Sequence, residues 1–339
     1  MENHRKKKGN LIFTAYTIFL SFLVFSSLVL LVILPGPKKE YVSKVVIIPK
    51  GATATQIAEI LVKDKIIDRQ APFLLLAKME GLDKALQAGE YELNNRMFYT
   101  AILKKLAKGE AVAHKLVIPE GFGMEEIANT LSQQELSGKD RFLELCRQPE
   151  LFREIFEVEA KSLEGYLFPD TYYVLKEVSE EKIVRLLLTN FKAVIEKIDR
   201  NGNLRQKIGL SLHEVITLAS IIEKEAQQPK EHPLISSVYH NRLKKGMGLE
   251  ADPTVLYALG YYKPKLTYKD LKVRSPYNTY LYKGLPPGPI ANPGESAILA
   301  ALNPANTDYL YFVSKQDGTH QFSKTLKEHN KAKNLYQKK

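Results

Sequence analysis

Residues 217–254 read TLASIIEKEAQQPKEHPLISSVYHNRLKKGMGLEADPT. The apolar run Val215-Ile216-Thr217-Leu218-Ala219-Ser220-Ile221-Ile222 leads without a break into Glu223-Lys224-Glu225. At about 100° per residue, the apolar direction of this helix lies near Val215, Ala219 and Ile222. Lys224 points almost opposite, toward water. Glu223 and Glu225 fall on opposite flanks, each roughly 70–90° from the apolar centre. Either carboxylate can line a cleft, and the wheel does not choose between them. Carboxylates normally stay in water, so two at the end of an apolar helix are either surface groups or acids of raised pKa, suited to general acid catalysis.

Working outward, Ser211 with Glu214 three residues on forms a capping box that starts this helix. Asn201-Gly202-Asn203 separates it from an amphipathic helix over 178–198, and a further helix covers 235–243. Asp252-Pro253-Thr254 before an apolar run ending at Gly260 reads as a short helix with Asp252 as its N-cap. A strand is expected over 309–313, then a lysine-rich helical tail. Nearer the N-terminus the chain repeats itself. Val46-Ile47-Ile48-Pro49-Lys50-Gly51 returns as Leu116-Val117-Ile118-Pro119-Glu120-Gly121, and Gln56-Ile57-Ala58 as Glu126-Ile127-Ala128, at an offset of 70 residues. Each copy reads as a strand, a Pro-x-Gly turn and two helices, closed by an aromatic strand after a glycine: 89–93 in the first, 165–168 in the second. Two βααβ units are expected.

The 339 residues carry a net charge of +11 and 45% hydrophobic residues, enough for a packed core and suited to anionic surfaces. Dispersed lysines and the lack of a recognisable module argue against nucleic acid as a partner. The single cysteine, Cys146, excludes a disulfide within the chain and reads as a buried thiol. Arg5-Lys6-Lys7-Lys8 precedes an uncharged run from Leu11 to Leu34, long enough for a bilayer. The expectation is a single-pass anchor in the cell membrane, with the N-terminus cytoplasmic and the rest outside the cytoplasm.

No HExxH or other tight ligand spacing groups the histidines, and no Gly-x-Ser-x-Gly elbow is present, so no metal, cofactor or serine nucleophile is expected. Glu164 precedes the aromatic turn Gly165-Tyr166-Leu167-Phe168, which is either core or a shelf for sugar. Asn241-Arg242 either pairs with a carboxylate or holds a helix. The loop over 274–290 holds four prolines, two glycines and three tyrosines. It reads as a semi-rigid cleft wall, with Tyr277, Tyr280 and Tyr282 offering ring faces and Asn278 and Thr279 hydrogen bonds. The alternative is that it closes the core.

Together, Ile221-Ile222-Glu223-Lys224-Glu225, Asn241-Arg242-Leu243, Asp252-Pro253-Thr254, Tyr277-Asn278-Thr279-Tyr280, Gly284-Leu285-Pro286-Pro287-Gly288, Tyr309-Leu310-Tyr311-Phe312-Val313 and Glu164-Gly165-Tyr166-Leu167-Phe168-Pro169-Asp170-Thr171 resemble the endolytic murein transglycosylases of the MltG (YceG-like) type. The resemblance runs in order over 45–330. It implies an α+β fold: an N-terminal transmembrane helix, a βααβ LysM-like module and a mixed α+β catalytic module. The corresponding divisions are a tail 1–10, the span 11–34, a linker 35–44, the module 45–112, the second repeat and connector 113–200, and the catalytic part 201–339. It also implies cleavage of nascent peptidoglycan strands beside the synthases of the cell-wall machinery. By position the catalytic glutamate is Glu225. Substrate contacts are expected from Glu223, Glu164, Tyr166, Asn241, Arg242, Asp252, Tyr277, Asn278, Thr279 and Tyr280. Where other lytic transglycosylases often carry a hydroxyl residue directly after the glutamate, this chain has Ala226.

Overall fold

The computed structural model describes residues 16, 19–23, 40–155, 160–176, 178–261 and 263–337. Of the expected span 11–34, residues 16 and 19–23 are helical and the rest lies outside the described residues. Among the described residues no helix is long and apolar enough to cross a membrane. The fold is mixed α+β, with three two-stranded sheets among the described residues.

The chain divides into two units: the described residues up to His114 with Leu175 and Lys176, and the remainder from Lys115. The first unit opens with β1 (Ser43–Ile48), α1 (Ala54–Lys63), α2 (Gln70–Met79) and β2 (Gly89–Asn94), then α3 (Tyr99–Lys108). β1 pairs antiparallel with β2, Ser43 opposite Asn94 and Ile48 opposite Gly89. Alternation puts Val46 and Ile48 inside and leaves Val45 and Ile47 exposed. Thr53 and Gln56 form a capping box that starts α1 and turns Ile57, Ala58 and Leu61 onto the core. This unit has its own apolar cluster, which includes Phe73, Tyr91, Leu103 and Leu106.

The second βααβ course follows as β3 (Ala113–Val117), α4 (Met124–Gln133), α5 (Lys139–Cys146) and β4 (Thr171–Leu175), with β3 paired to β4 and a 3₁₀ turn over Pro149–Phe152. The expected element order is present in both copies. The second closing strand is displaced, however. Residues 165–168 are a buried turn, and the strand is Thr171–Leu175, whose Tyr172 and Val174 point inward. Gly165, at φ +89°, packs where a Cβ would collide with Pro289, so the aromatic turn sits flush against the 274–290 loop.

Then come α6 (Glu180–Asp199), α7 (Asn203–Ile208), α8 (Leu212–Glu225), α9 (His232–Lys244), α10 (Asp252–Leu259), α11 (Glu295–Leu302), the antiparallel hairpin β5 (Tyr311–Ser314) and β6 (His320–Ser323), and α12 (Leu326–Tyr336). One continuous core joins Leu116, Ile127 and Phe142 of the second repeat to Val215, Ile216 and Ile222 of α8. Cys146 is a buried free thiol in this core.

Candidate active site

Every residue of α8 from Val215 to Ile222 is buried. Its hydroxyls are satisfied locally: Thr217 donates to the His213 carbonyl at 2.7 Å and Ser220 to the Thr217 carbonyl at 2.7 Å. The Ser211 hydroxyl accepts from the Glu214 amide and the Glu214 carboxylate from the Ser211 amide, so the capping box fixes where the helix begins. At the other end three charged side chains splay apart. Glu223 Oε2 accepts from the Gly294 amide at 3.0 Å. Lys224 Nζ donates to the Gly121 carbonyl at 3.1 Å, rather than pointing free into water. Glu225, the last residue of α8, accepts from the Tyr239 hydroxyl at 3.0 Å.

Glu225 lies on a cleft of about 390 Å³, shared with Arg242, Asp252, Tyr280, Phe312 and His329. Burial pushes its carboxyl up to about 7; the neighbouring Asp252 carboxylate adds to the rise, while the Tyr239 hydrogen bond and Arg242 oppose it. Asp252 is not a cap: Ala251 holds that position, and Asp252 is the first residue of α10. Its Oδ1 instead accepts from the Tyr280 hydroxyl at 2.6 Å. Two carboxyls thus share one cleft, each with a phenol donor, in opposite settings. Glu225 ends a helix, where a negative charge is disfavoured; Asp252 stands at the start of another.

The remaining expected contact residues are held elsewhere by the fold. Glu223 anchors the start of α11 through Gly294. Glu164 is buried, accepting from the Met124 amide at 3.1 Å and from Asn292 at 3.4 Å; burial raises its carboxyl to about 8, with Glu126 adding to the rise. Tyr166 is core, its hydroxyl 2.6 Å from His213 Nδ1. Asn241 donates to the Thr307 and Tyr309 carbonyls and so ties α9 to the chain before β5. Arg242 faces the cleft, yet its guanidinium clasps the carbonyls of Leu310, Gly248 and Leu249.

The 274–290 loop divides in the same way. Asn278 is fully buried and donates to the Leu271 and Val273 carbonyls; Thr279 is buried against Thr254 and accepts from the Ala251 amide. Tyr277 packs on Tyr257 at 4.7 Å between ring centroids. Asn278 and Thr279 therefore brace the loop from inside, while Tyr280 reaches the cleft. Among the described residues no group of three or more His, Cys, Asp or Glu could hold a metal ion.

The YceG-like family matches residues 46–335. The chain belongs to the YceG-like family. Among its relatives, the endolytic murein transglycosylase of Bacillus subtilis strain 168 is 40% identical over 304 residues, which cover 85% of this chain and 83% of the relative. The Streptococcus pneumoniae D39 protein of the same name is 30% identical over 306 residues, 81% of this chain but 54% of its own length. The crystal structure of a YceG-like protein from Listeria monocytogenes matches with a TM-score of 0.58 at 41% identity, covering 86% of this chain and 99% of that one.

Sequence reasoning missed Tyr239, Asn292 and His329. Tyr239 lies three residues before Arg242, on the same side of α9, and its turn carried no motif. Asn292, fully buried, donates to the Phe122 carbonyl and accepts from the Leu167 amide. Its partners lie over 120 residues away in sequence, so no local pattern could show them. His329 falls four residues after Thr325, the N-cap of α12; that cap is a readable signal for the helix, though not for the direction of the ring.

Proposed function

We propose that this chain is a membrane-anchored lytic transglycosylase that cuts peptidoglycan glycan strands internally, between N-acetylmuramic acid and N-acetylglucosamine. The observation that carries the reading is Glu225: a carboxyl at the end of a buried helix, raised to about 7, open to a cleft and held by Tyr239. The names of the relatives point to the same activity.

In this mechanism protonated Glu225 gives its proton to the glycosidic oxygen as the bond from the muramic C1 to that oxygen breaks. Positive charge develops at C1. The Asp252 carboxylate, with Tyr280 holding it, favours that charge. Glu225, now ionised, takes the proton from the C6 hydroxyl, and the C6 oxygen bonds to C1. The strand ends in a 1,6-anhydro ring, no water is consumed, and Glu225 is protonated again.

Asp252 also supports a second reading. Two carboxyls across one cleft are the equipment of a muramidase, in which the second activates water or attacks the sugar. Product mass separates the two: the anhydro end is one water lighter than the hydrolysed end. Wild-type protein and Glu225→Gln are compared on purified glycan strands. Anhydro products from wild type alone support the transglycosylase; hydrated ends overturn it.

For the rest of the chain, the uncharged run 11–34 with its preceding basic cluster supports a cell-membrane anchor with the body outside the cytoplasm. The βααβ course within 45–112 is proposed as a LysM-like glycan-holding module, and peptidoglycan synthases as neighbours. Alkaline carbonate extraction of membranes tests the anchor: release of the full chain would refute it.

A further inference from the structure

We propose that His329 is a substrate-binding residue of the Glu225 cleft, a fixed N–H donor to an N-acetyl carbonyl of the glycan; the proposal rests on the glycan-cleaving reading above. Two histidines line the cleft, and they differ in one respect. His320 Nδ1 lies 2.7 Å from Glu231 Oε2, a buried partner. His329 Nδ1 is buried as well and has no hydrogen-bond partner among the described residues. Buried polar atoms without partners are rare in folded proteins and call for an explanation.

The His329 ring is nonetheless held firmly. It stacks on Tyr311, with centroids 5.3 Å apart and planes at 26°, and Arg242 lies over the Tyr311 ring at 5.2 Å. α12 is fixed by the mutual cap of Thr325 and Glu328 and by buried Ala332. A positively charged imidazole here would bury an N–H at Nδ1 with nothing to accept it. Burial, then Lys333 and Arg242, hold the ring's pKa below the ordinary histidine value, with Glu250 opposing. The ring is therefore neutral. Unpaired buried N–H groups are rarer than unpaired acceptors, so the proton belongs on Nε2 and the lone pair on the orphan Nδ1. What the ring offers the cleft is one N–H donor at Nε2. On a strand of N-acetylated sugars, the amide carbonyl is the strongest neutral acceptor, and it recurs on every ring.

The test is a binding cycle in the catalytically silent Glu225→Gln protein, so it does not depend on turnover. Glycan strands, N-acetylated and chemically N-deacetylated, are titrated against this protein with and without His329→Phe, which keeps the stack on Tyr311 and removes the donor. The acetylated strand should bind about 3–10-fold more weakly to the Phe protein, and the deacetylated strand should change by less than about twofold. Equal weakening of both strands, or none, overturns the proposal. His329→Gln, which carries an N–H at similar reach, should restore the acetyl preference; a folded Gln protein without it overturns the proposal too. In the active protein, His329→Phe should act on KM more than on kcat. An effect of His329→Phe that is the same on both strands, with anhydro products still formed, would sink this inference and leave the proposed reaction standing. Hydrated products with the weakening confined to the acetylated strand would do the reverse.

Discussion

The βααβ courses over 43–94 and 113–175 share their element order, yet they close their first turns by different means. In the first, Thr53 and Gln56 cap each other and the turn is self-contained. In the second, the matching positions are Gly123 and Glu126, and the turn is tied into the body that carries α8. The Gly121 amide donates to the Asn292 carbonyl, the Gly121 carbonyl accepts from Lys224, and the Met124 amide donates to buried Glu164. The apolar skeletons are alike: Ile57 and Ile127, Leu61 and Leu131 are all buried. A repeated scaffold can thus keep its core pattern while its polar turn takes on a new task. In the second copy that task is to back the helix that ends in Glu225.

The largest effect expected from this difference is on catalysis. Glu225→Gln should lower turnover by about 10²–10⁴-fold with the melting temperature nearly unchanged, whereas Gln56→Ala in the first turn should leave kcat as it is. Normal turnover by a folded Glu225→Gln protein would remove the reason for calling the second body catalytic. With Glu225 at about 7, the acid form is present below that pH, so kcat/KM should fall as pH rises through 7. A pH–rate profile flat from 6 to about 8 would contradict the assignment.

Next comes Asn292→Ala, which strips the buried Leu167 amide of its acceptor and should cost about 2–4 kcal/mol in denaturant unfolding. Asn95→Ala, which frees the Val42 amide in the first unit, should cost about half as much. Equal losses would mean that the second turn is no more tightly bound in than the first.

The pH dependence of stability should have opposite signs in the two units. Glu164 is raised to about 8 from an ordinary 4.5, so between these values the folded state holds a proton that the unfolded chain has released. Stability of the second unit should fall as pH rises through that window, by at most about 1.4 kcal/mol per pH unit for one proton. Glu90 in the first unit goes the other way. Burial opposes its ionisation, but Lys176 and His114 outweigh burial and lower its pKa. Its contribution is present above the unfolded carboxyl value and is lost as pH falls through the lower folded one. Hydrogen exchange resolved by segment at several pH values checks both slopes, and Glu164→Gln should flatten the first. The smallest effect is Thr53→Ala, a lost cap of about 1 kcal/mol with activity intact.

Much of this was legible in the chain. The 70-residue offset, the Ser211–Glu214 cap and the apolar run into Glu223-Lys224-Glu225 are local patterns, and local patterns survive folding. Asp252 misled because Asp-Pro at a helix start looks the same whether the aspartate caps or occupies the first turn; the outcome turned on Tyr280, 28 residues away. Asn278 and Thr279 misled because a polar loop residue with buried backbone partners has the composition of one that waits for a ligand. The aromatic turn 165–168 reads as a strand because tightly packed turns and strands both favour large rings after a glycine.

The bond between Glu223 and Gly294 has a mechanical meaning. It works as an index pin on a shaft. Gly294 also packs closely against the Glu120 side chain, which a Cβ at 294 would have to push aside. With Glu223 seated and Lys224 bonded to Gly121, the end of α8 is held against rolling, and a residue two places on, some 200° around the helix, is presented to the Tyr239 hydroxyl. The aim of the acid is thus shared between Tyr239, which bonds it directly, and Glu223, which fixes the helix that carries it.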